Sequence, residues 1–86
     1  FYQVSTDEVF GDCPPGESFK EWRHCLPSNP YAASKAAQEM VAIAYWRTFN
    51  VPVVITNTTN NIGEWQDGEK FLPKMVGKIE RGEVMP

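Results

Sequence analysis

A single long helical pattern over residues 30–49, enclosed by two short apolar runs, constrains the fold more than any other feature of the sequence. The first run, residues 1–5, is predicted to be a buried parallel strand. The second run, residues 51–56, is rich in β-branched residues, which suit a strand buried on both faces of a parallel sheet. Strand, helix and strand in this order form one βαβ crossover, so the sequence predicts an α/β fold.

The two ends of this helix carry boundary signals. Pro30 suits the first helical turn, and either Ser28 or Asn29 can cap it. Asn50 can end the helix in the left-handed conformation, and Pro52 prevents the helix from continuing. Apolar residues recur at steps of three and four, and they are predicted to form the packing stripe: Ala33, Ala36, Ala37, Met40, Val41, Ala44 and Tyr45.

The remaining segments are predicted to be a loop and a second helix. Residues 11–30 are rich in proline and form a loop that Phe19 and Trp22 anchor to the rest of the chain. A shorter helix is predicted over residues 69–82, with Gly82 as its C-cap. Its apolar stripe consists of Phe71, Leu72, Met75, Val76 and Ile79.

Tyr31 and Lys35 stand four residues apart, which places both side chains on one face of the helix. A phenol with a pKa near ~10 is a poor base at neutral pH, but a nearby ammonium stabilises the phenolate and lowers that pKa. The pair can therefore act as a general acid/base unit. Taken alone, the same spacing also fits a buried ring beside a solvated charge.

Thr6, Asp7 and Glu8 follow directly after the first predicted strand. Ligands of open α/β sheets bind at the carboxyl ends of the strands, where two adjacent acids are well placed for a cleft. Both acids can reach one ligand only if the chain turns here, and Gly11 is consistent with such a turn. A polar turn without a function is the alternative.

These two stretches together resemble the extended short-chain dehydrogenase/reductase family, in which Ser-Thr is followed by Tyr-x-x-x-Lys. Within that family, residues 6–8 (Thr-Asp-Glu) are similar to the acid pair of the dTDP-glucose 4,6-dehydratases. Residues 60–63 (Asn-Asn-Ile-Gly) and 69–73 (Glu-Lys-Phe-Leu-Pro) are similar to two further segments of the same dehydratases. The resemblance covers nearly the whole chain in the same order.

The resemblance implies part of a Rossmann-type doubly wound parallel sheet that lacks its N-terminal βαβ units. Residues 1–57 would be the later part of the NAD-binding domain. Residues 58–86 would be a loop and a helix that lead into the nucleotide-sugar-binding region. The Gly-rich NAD loop would lie upstream of Phe1, so we expect a piece of a longer protein that is inactive on its own.

The resemblance also implies a reaction, the NAD-dependent dehydration of dTDP-glucose, and assigns five catalytic residues. Tyr31 would take the proton of the sugar 4-hydroxyl, with Lys35 lowering its pKa, and Thr6 would hydrogen-bond the same oxygen. Glu8 would remove the C5 proton, and Asp7 would protonate the departing 6-hydroxyl. The two acids need opposite protonation states, which adjacent carboxyls in a shared site tend to adopt.

Binding residues follow from the same resemblance. Tyr31, Lys35 and Thr58 would contact NAD, and a homodimer would form through the Tyr31–Phe49 helix. The substrate-binding residues would be Thr6, Asp7, Glu8, Asn60 and Lys70. For the last two and for Thr58, a solvated loop or surface position is an equal alternative.

The sequence departs from the family pattern at Asn57, where relatives usually have arginine, at Ile62, where they have tyrosine, and over residues 64–68. These changes leave the exact nucleotide and sugar open. A nucleotide-sugar epimerase or decarboxylase with the same Tyr/Lys unit is the second interpretation, and Asp7 argues against it. A non-catalytic binding relative is the third, and the complete set of catalytic residues argues against it.

Composition argues against several other classes of protein. A net charge of −3 gives no basic surface for nucleic acid, and no apolar run approaches the ~20 residues that span a bilayer. Cys13 and Cys25 make no disulfide framework, and His24 has no further ligands at metal-site spacing. Two reduced thiols fit a reducing cytoplasm, so we expect a cytoplasmic protein without a metal site.

Overall fold

The computed structural model describes residues 1–84, so positions 85 and 86 of the predicted C-terminal segment lie outside the described residues. Two parallel strands form the sheet, with Tyr2 beside Val54 and Thr6 beside Thr58. The predicted βαβ crossover is therefore confirmed. The elements in chain order are β1 (Tyr2–Thr6), a 3₁₀ helix (Asp7–Phe10), α1 (Pro30–Phe49), β2 (Val54–Thr58) and α2 (Phe71–Glu80).

Helix α1 begins and ends at the predicted residues. Asn29 is the cap, because its side-chain oxygen accepts a hydrogen bond of 2.8 Å from the Ala32 N–H. At the other end Asn50 adopts a left-handed conformation with φ 54°, and its N–H donates to the Trp46 carbonyl. Neither described helix combines the length and the apolar character that a membrane span requires.

The boundaries of the later elements differ from the prediction. β2 begins at Val54, whose N–H donates to the Phe1 carbonyl at 2.9 Å, while the Pro52 carbonyl accepts from the Phe1 amino group at 2.6 Å. Helix α2 begins at Phe71, after a turn in which Asp67 accepts the Glu69 and Lys70 N–H groups. It ends at Glu80, and Gly82 follows the cap residue in a left-handed conformation with φ 65°.

The core lies between the first turns of α1 and the 3₁₀ helix. Val9, Phe10 and Ala36 form its buried cluster, against which Phe19 and Cys25 pack. Phe19 therefore anchors the long loop as predicted. The predicted second anchor is wrong, because Trp22 is 79% exposed.

Most residues of the predicted packing stripes are not buried within the described part of the chain. Helix α1 buries Ala32, Ala36, Glu39 and Ala42, so Ala36 is the one member of the predicted stripe that is buried. The reason is that α1 is covered by a narrow surface, which consists mainly of β1 and the 3₁₀ helix. β1 buries Ser5 and Thr6 but not its first residues, and α2 buries Met75 alone of its predicted stripe.

Candidate active site

The carboxyl ends of both strands and the first turns of α1 border a cavity of about 630 Å³, called here the polar cavity. Register places Thr6 and Thr58 side by side at this end of the sheet. All but one of the predicted site residues line the cavity: Thr6, Glu8, Tyr31, Lys35, Thr58, Asn60 and Lys70. Predicted site residues that are far apart in the sequence therefore line one cavity.

Tyr31 and Lys35 reach the polar cavity from the first turns of α1. Tyr31 is the second residue of the helix, and its side chain is half exposed at the cavity wall. The Lys35 ammonium donates a hydrogen bond of 2.9 Å to the Val4 carbonyl of β1. This bond ties the helix to the strand and holds a positive charge on the face of α1 that carries the phenol.

Glu8 is fixed at both its backbone and its side chain. Its N–H donates to the Thr6 hydroxyl at 3.3 Å, which caps the 3₁₀ helix, and its Oε2 accepts a hydrogen bond of 2.9 Å from Asn29 Nδ2. Sequence reasoning identified Asn29 as a possible helix cap but missed its contact with Glu8. The contact joins residues that are distant in sequence, and no local pattern reveals it.

Asp7 lies apart from the other predicted site residues. The 3₁₀ helix supplies the predicted turn, but Asp7 lines a second cavity of about 340 Å³ together with Phe10 and Asn57. The Thr6 hydroxyl donates to Asp7 Oδ1 at 3.3 Å, so Thr6 stands between the two acids. Because Thr59 lines both cavities, the two spaces are neighbours.

The buried carboxylate of Glu39 is linked to the site through Asn57. Glu39 of α1 is only 5% exposed, and its Oε1 accepts a hydrogen bond of 2.6 Å from Asn57 Nδ2. The same Asn57 nitrogen donates to the Thr6 carbonyl at 3.3 Å, which links α1 and β2 to the end of β1. Burial, followed by the charge of Glu39, raises the pKa of the Cys25 thiol.

Sequence reasoning missed this link, although two signals pointed to it. Glu39 is an acid on a helix face where alanines recur, and Asn57 stands where relatives usually have arginine. Two further lining residues of the polar cavity, Ser5 and Gln66, were also missed. Within the described part of the chain, Ser5 Oγ and Gln66 Oε1 are buried without a hydrogen-bond partner. Such groups are uncommon in cores and more readily tolerated at functional sites.

The chemistry of the lining suits a polar, anionic ligand. The charged residues that line the polar cavity are two lysines, Lys35 and Lys70, and one acid, Glu8, so their charges sum to a positive charge. Phenol and hydroxyl groups complete a set of donors that fits the ribose and phosphate groups of a nucleotide. Among residues 1–84, no cluster of His, Cys, Asp and Glu could hold a metal ion.

Comparison with known proteins agrees with this chemistry. The family model described as GDP-mannose 4,6 dehydratase matches residues 1–85. A dTDP-glucose 4,6-dehydratase of Haemophilus influenzae is 44% identical over 87 residues, which cover 100% of this chain and 26% of that protein.

Two solved structures extend the comparison. The crystal structure of dTDP-glucose 4,6-dehydratase from Bacillus anthracis in complex with NAD has a TM-score of 0.91 and 41% identity, and the match covers 99% of this chain and 27% of that one. A UDP-N-acetylglucosamine 4-epimerase from Methanobrevibacter ruminantium, in complex with UDP-N-acetylmuramic acid, has a TM-score of 0.85 and 29% identity over 96% of this chain and 28% of that one.

The chain therefore belongs to the GDP-mannose 4,6 dehydratase family. The resemblance inferred from the sequence is confirmed, and so is the Rossmann-type α/β fold class, of which this chain forms a part. The chain spans about a quarter of the length of the curated relatives that it matches.

Proposed function

We propose that this chain forms the Tyr/Lys-helix part of an NAD-dependent nucleotide-sugar 4,6-dehydratase that acts on dTDP-glucose. Residues 1–57 belong to its NAD-binding domain, and residues 58–86 lead into its nucleotide-sugar-binding region. The observation that carries the proposal is the meeting of Tyr31, Lys35 and Glu8 in one polar cavity at the carboxyl end of a parallel sheet.

NAD supplies, when bound, the acceptor and the donor for the hydride that leaves C4 of the sugar and returns at C6. Tyr31, Lys35 and Thr58 would hold it, because all three line the polar cavity. The net positive lining suits the phosphates of both the cofactor and the nucleotide sugar. Lys70 and Asn60, which follow β2 in the sequence and line the same cavity, are proposed to contact the substrate.

The protons are moved by the chain's own side chains. Tyr31 takes the proton of the 4-hydroxyl, while the Lys35 ammonium stabilises the phenolate and Thr6 hydrogen-bonds the same oxygen. A ketone at C4 acidifies the neighbouring C5 position, and Glu8 removes the C5 proton. Asp7 protonates the 6-hydroxyl as water leaves, which requires its carboxyl to approach the polar cavity from the neighbouring one.

A nucleotide-sugar epimerase is the second candidate function. It needs Tyr31 and Lys35 but no acid for elimination, and the position of Asp7 in the neighbouring cavity favours it. Glu8 favours the dehydratase, because an epimerase that oxidises and reduces C4 has no use for a base at C5. A decarboxylase and a non-catalytic relative stay alternatives without a specific observation in their favour.

We also propose that the full-length protein is a homodimer through the Tyr31–Phe49 helix. The second half of that helix exposes large apolar side chains, which a partner would cover: Met40, Val41, Tyr45, Trp46 and Phe49. Tyr45 and Val41 also line an apolar cavity of about 500 Å³ beside the first strand. The predicted cytoplasmic location stays a prediction.

The decisive experiment is a product analysis with the full-length protein that contains this chain. Purified protein is incubated with NAD and dTDP-glucose, and the sugar is followed by proton NMR. A new methyl doublet for C6 together with a 4-keto group supports the dehydratase. Inversion at C4 of dTDP-glucose, without a methyl signal, indicates the epimerase instead.

A further inference from the structure

The side-chain amide of Asn29 is bound at both of its ends. Its oxygen accepts the Ala32 N–H at 2.8 Å and so caps α1. Its nitrogen donates to Glu8 Oε2 at 2.9 Å. A single short side chain therefore connects the start of the helix that carries Tyr31 to the carboxylate of Glu8, which lines the same polar cavity.

We propose that Asn29 is a positioning residue for Glu8, and this inference rests on the proposed dehydratase function. The amide nitrogen holds one carboxylate oxygen, which within the described residues leaves Glu8 Oε1 free to face the C5 proton. The Thr6 hydroxyl accepts the Glu8 N–H at 3.3 Å, so the backbone of the base is fixed as well. Asn29 itself takes no proton, and its proposed effect on water loss passes through Glu8.

The surrounding chain fixes the position of Asn29. The Leu26 N–H donates to the Val9 carbonyl at 2.9 Å, which ties the end of the long loop to the 3₁₀ helix. Gly11 has φ 74°, and a Cβ at this position would collide with the Leu26 carbonyl oxygen. The loop can therefore lie against the 3₁₀ helix only because residue 11 lacks a side chain. Pro30 then fixes the direction in which the chain enters α1.

Two substitutions separate this role from helix capping. Aspartate and serine are both good caps, so Asn29→Asp and Asn29→Ser preserve the start of α1. Neither supplies the amide N–H to Glu8, and Asn29→Asp in addition places a second carboxylate against it. A helix that stays capped keeps Tyr31 and Lys35 in place, so the first hydride transfer should change less than about twofold. Misplacement of the base by about 1 Å should slow water loss by about 10- to 100-fold.

The experiment uses the full-length protein with dTDP-glucose in single turnovers. NADH absorbance reports the first hydride transfer, and rapid-quench analysis reports the loss of water. We expect normal NADH formation and slow water loss in Asn29→Asp, with a smaller effect in Asn29→Ser. Equal slowing of both steps would indicate a role limited to the helix, and unchanged water loss in Asn29→Asp would also overturn the proposal.

A double-mutant cycle provides the second readout. In a Glu8→Gln background the change Asn29→Asp should have no further effect on water loss, because the base that it positions is already absent. Additive effects would contradict the proposal. Failure of the proposed function is distinguishable from both results, because the unmodified protein would then release no water from dTDP-glucose at all.

Discussion

The two halves of helix α1 have opposite surroundings. The first half is capped by Asn29, tied to β1 through Lys35 and tied to β2 through the buried Glu39. The second half makes few such bonds and exposes its large side chains, with Trp46 at 54% and Phe49 at 66%. Both halves belong to one continuous helix with the same backbone geometry.

This difference fits the proposal that one helix serves both chemistry and association. The sheet and the 3₁₀ helix cover mainly the first half, where Lys35 and Glu39 have hydrogen-bond partners in β1 and β2. The second half offers apolar area with no partner in the described part of the chain, which is typical of a surface that another element covers. We therefore expect substitutions in the first half to alter individual chemical steps and substitutions in the second half to alter assembly.

The largest effect is expected for Tyr31→Phe. The variant should lose hydride transfer almost completely, because no other described group in the cavity is proposed to take the 4-hydroxyl proton, while binding of dTDP-glucose should survive. The measurement is NADH absorbance in a single turnover of the full-length protein. The matched control is Tyr45→Phe, which removes the same atom from an equally exposed tyrosine, 54% in both cases, in the other half of the helix. Normal NADH formation in Tyr31→Phe would remove this residue from the mechanism.

The next effect is expected for the two acids. Glu8→Gln removes the base and Asp7→Asn removes the transferable proton, and each should slow water loss by about 10²–10⁴-fold. Initial NADH formation should stay largely intact, so NADH accumulates in a stopped-flow trace. If the Glu8 variant accumulates NADH and the Asp7 variant behaves normally, the position of Asp7 in the neighbouring cavity describes the working enzyme, and another acid must protonate the leaving group.

A charge in the second half should weaken assembly and leave the chemistry intact. Val41→Glu places an unpaired carboxylate in the proposed dimer interface, where desolvation of the charge should weaken association by at least about 10-fold. Sedimentation equilibrium of the full-length protein measures this, and Tyr45→Phe serves as a control that keeps the apolar area. An unchanged molecular mass for Val41→Glu would exclude this face as the interface.

The smallest effect concerns the buried carboxylate. Glu39→Ala deprives the Asn57 amide of its short hydrogen bond and should lower the free energy of unfolding by about 1–3 kcal/mol, measured by urea denaturation. Glu39→Gln keeps an acceptor and should lower the free energy of unfolding by less.

Both changes at Glu39 remove a charge that raises the pKa of the Cys25 thiol, so more thiolate should exist at pH 8 and Cys25 should react faster with a maleimide. An unchanged rate would indicate that burial alone controls the thiol.

The sequence predicts the parts of this molecule that depend on local signals. The bounds of α1 follow from Asn29, Pro30 and Asn50, and the Tyr31/Lys35 pair follows from helical spacing. The packing face of α1 does not follow, because apolar residues at steps of three and four occur on more than one side of the helix, and the buried side is that of Ala32, Ala36, Glu39 and Ala42. Trp22 illustrates the same limit, since an aromatic residue in a loop indicates neither what it contacts nor whether it is buried.

The contacts that complete the site join distant residues, and sequence spacing contains no information about them. The bonds from Asn29 to Glu8 and from Asn57 to Glu39 exist because the crossover brings α1 against the ends of both strands. The separation of Asp7 from Glu8 has a similar origin. The 3₁₀ helix turns consecutive side chains in different directions, and a turn signal alone does not give the angle between them.

The close approach of Gly11 to Leu26 has a consequence for how this protein can vary. Residue 11 follows the 3₁₀ helix directly and lies against residue 26, so the stretch between them is a loop whose two ends are close together. Doubling the length of such a closed loop costs only about 0.6 kcal/mol in closure entropy. Insertions or a peptide tag in its exposed part, residues 12–18, should therefore be accepted without moving Glu8 or Asn29. A residue larger than glycine at position 11 should not be accepted, because its Cβ would collide with the Leu26 carbonyl oxygen.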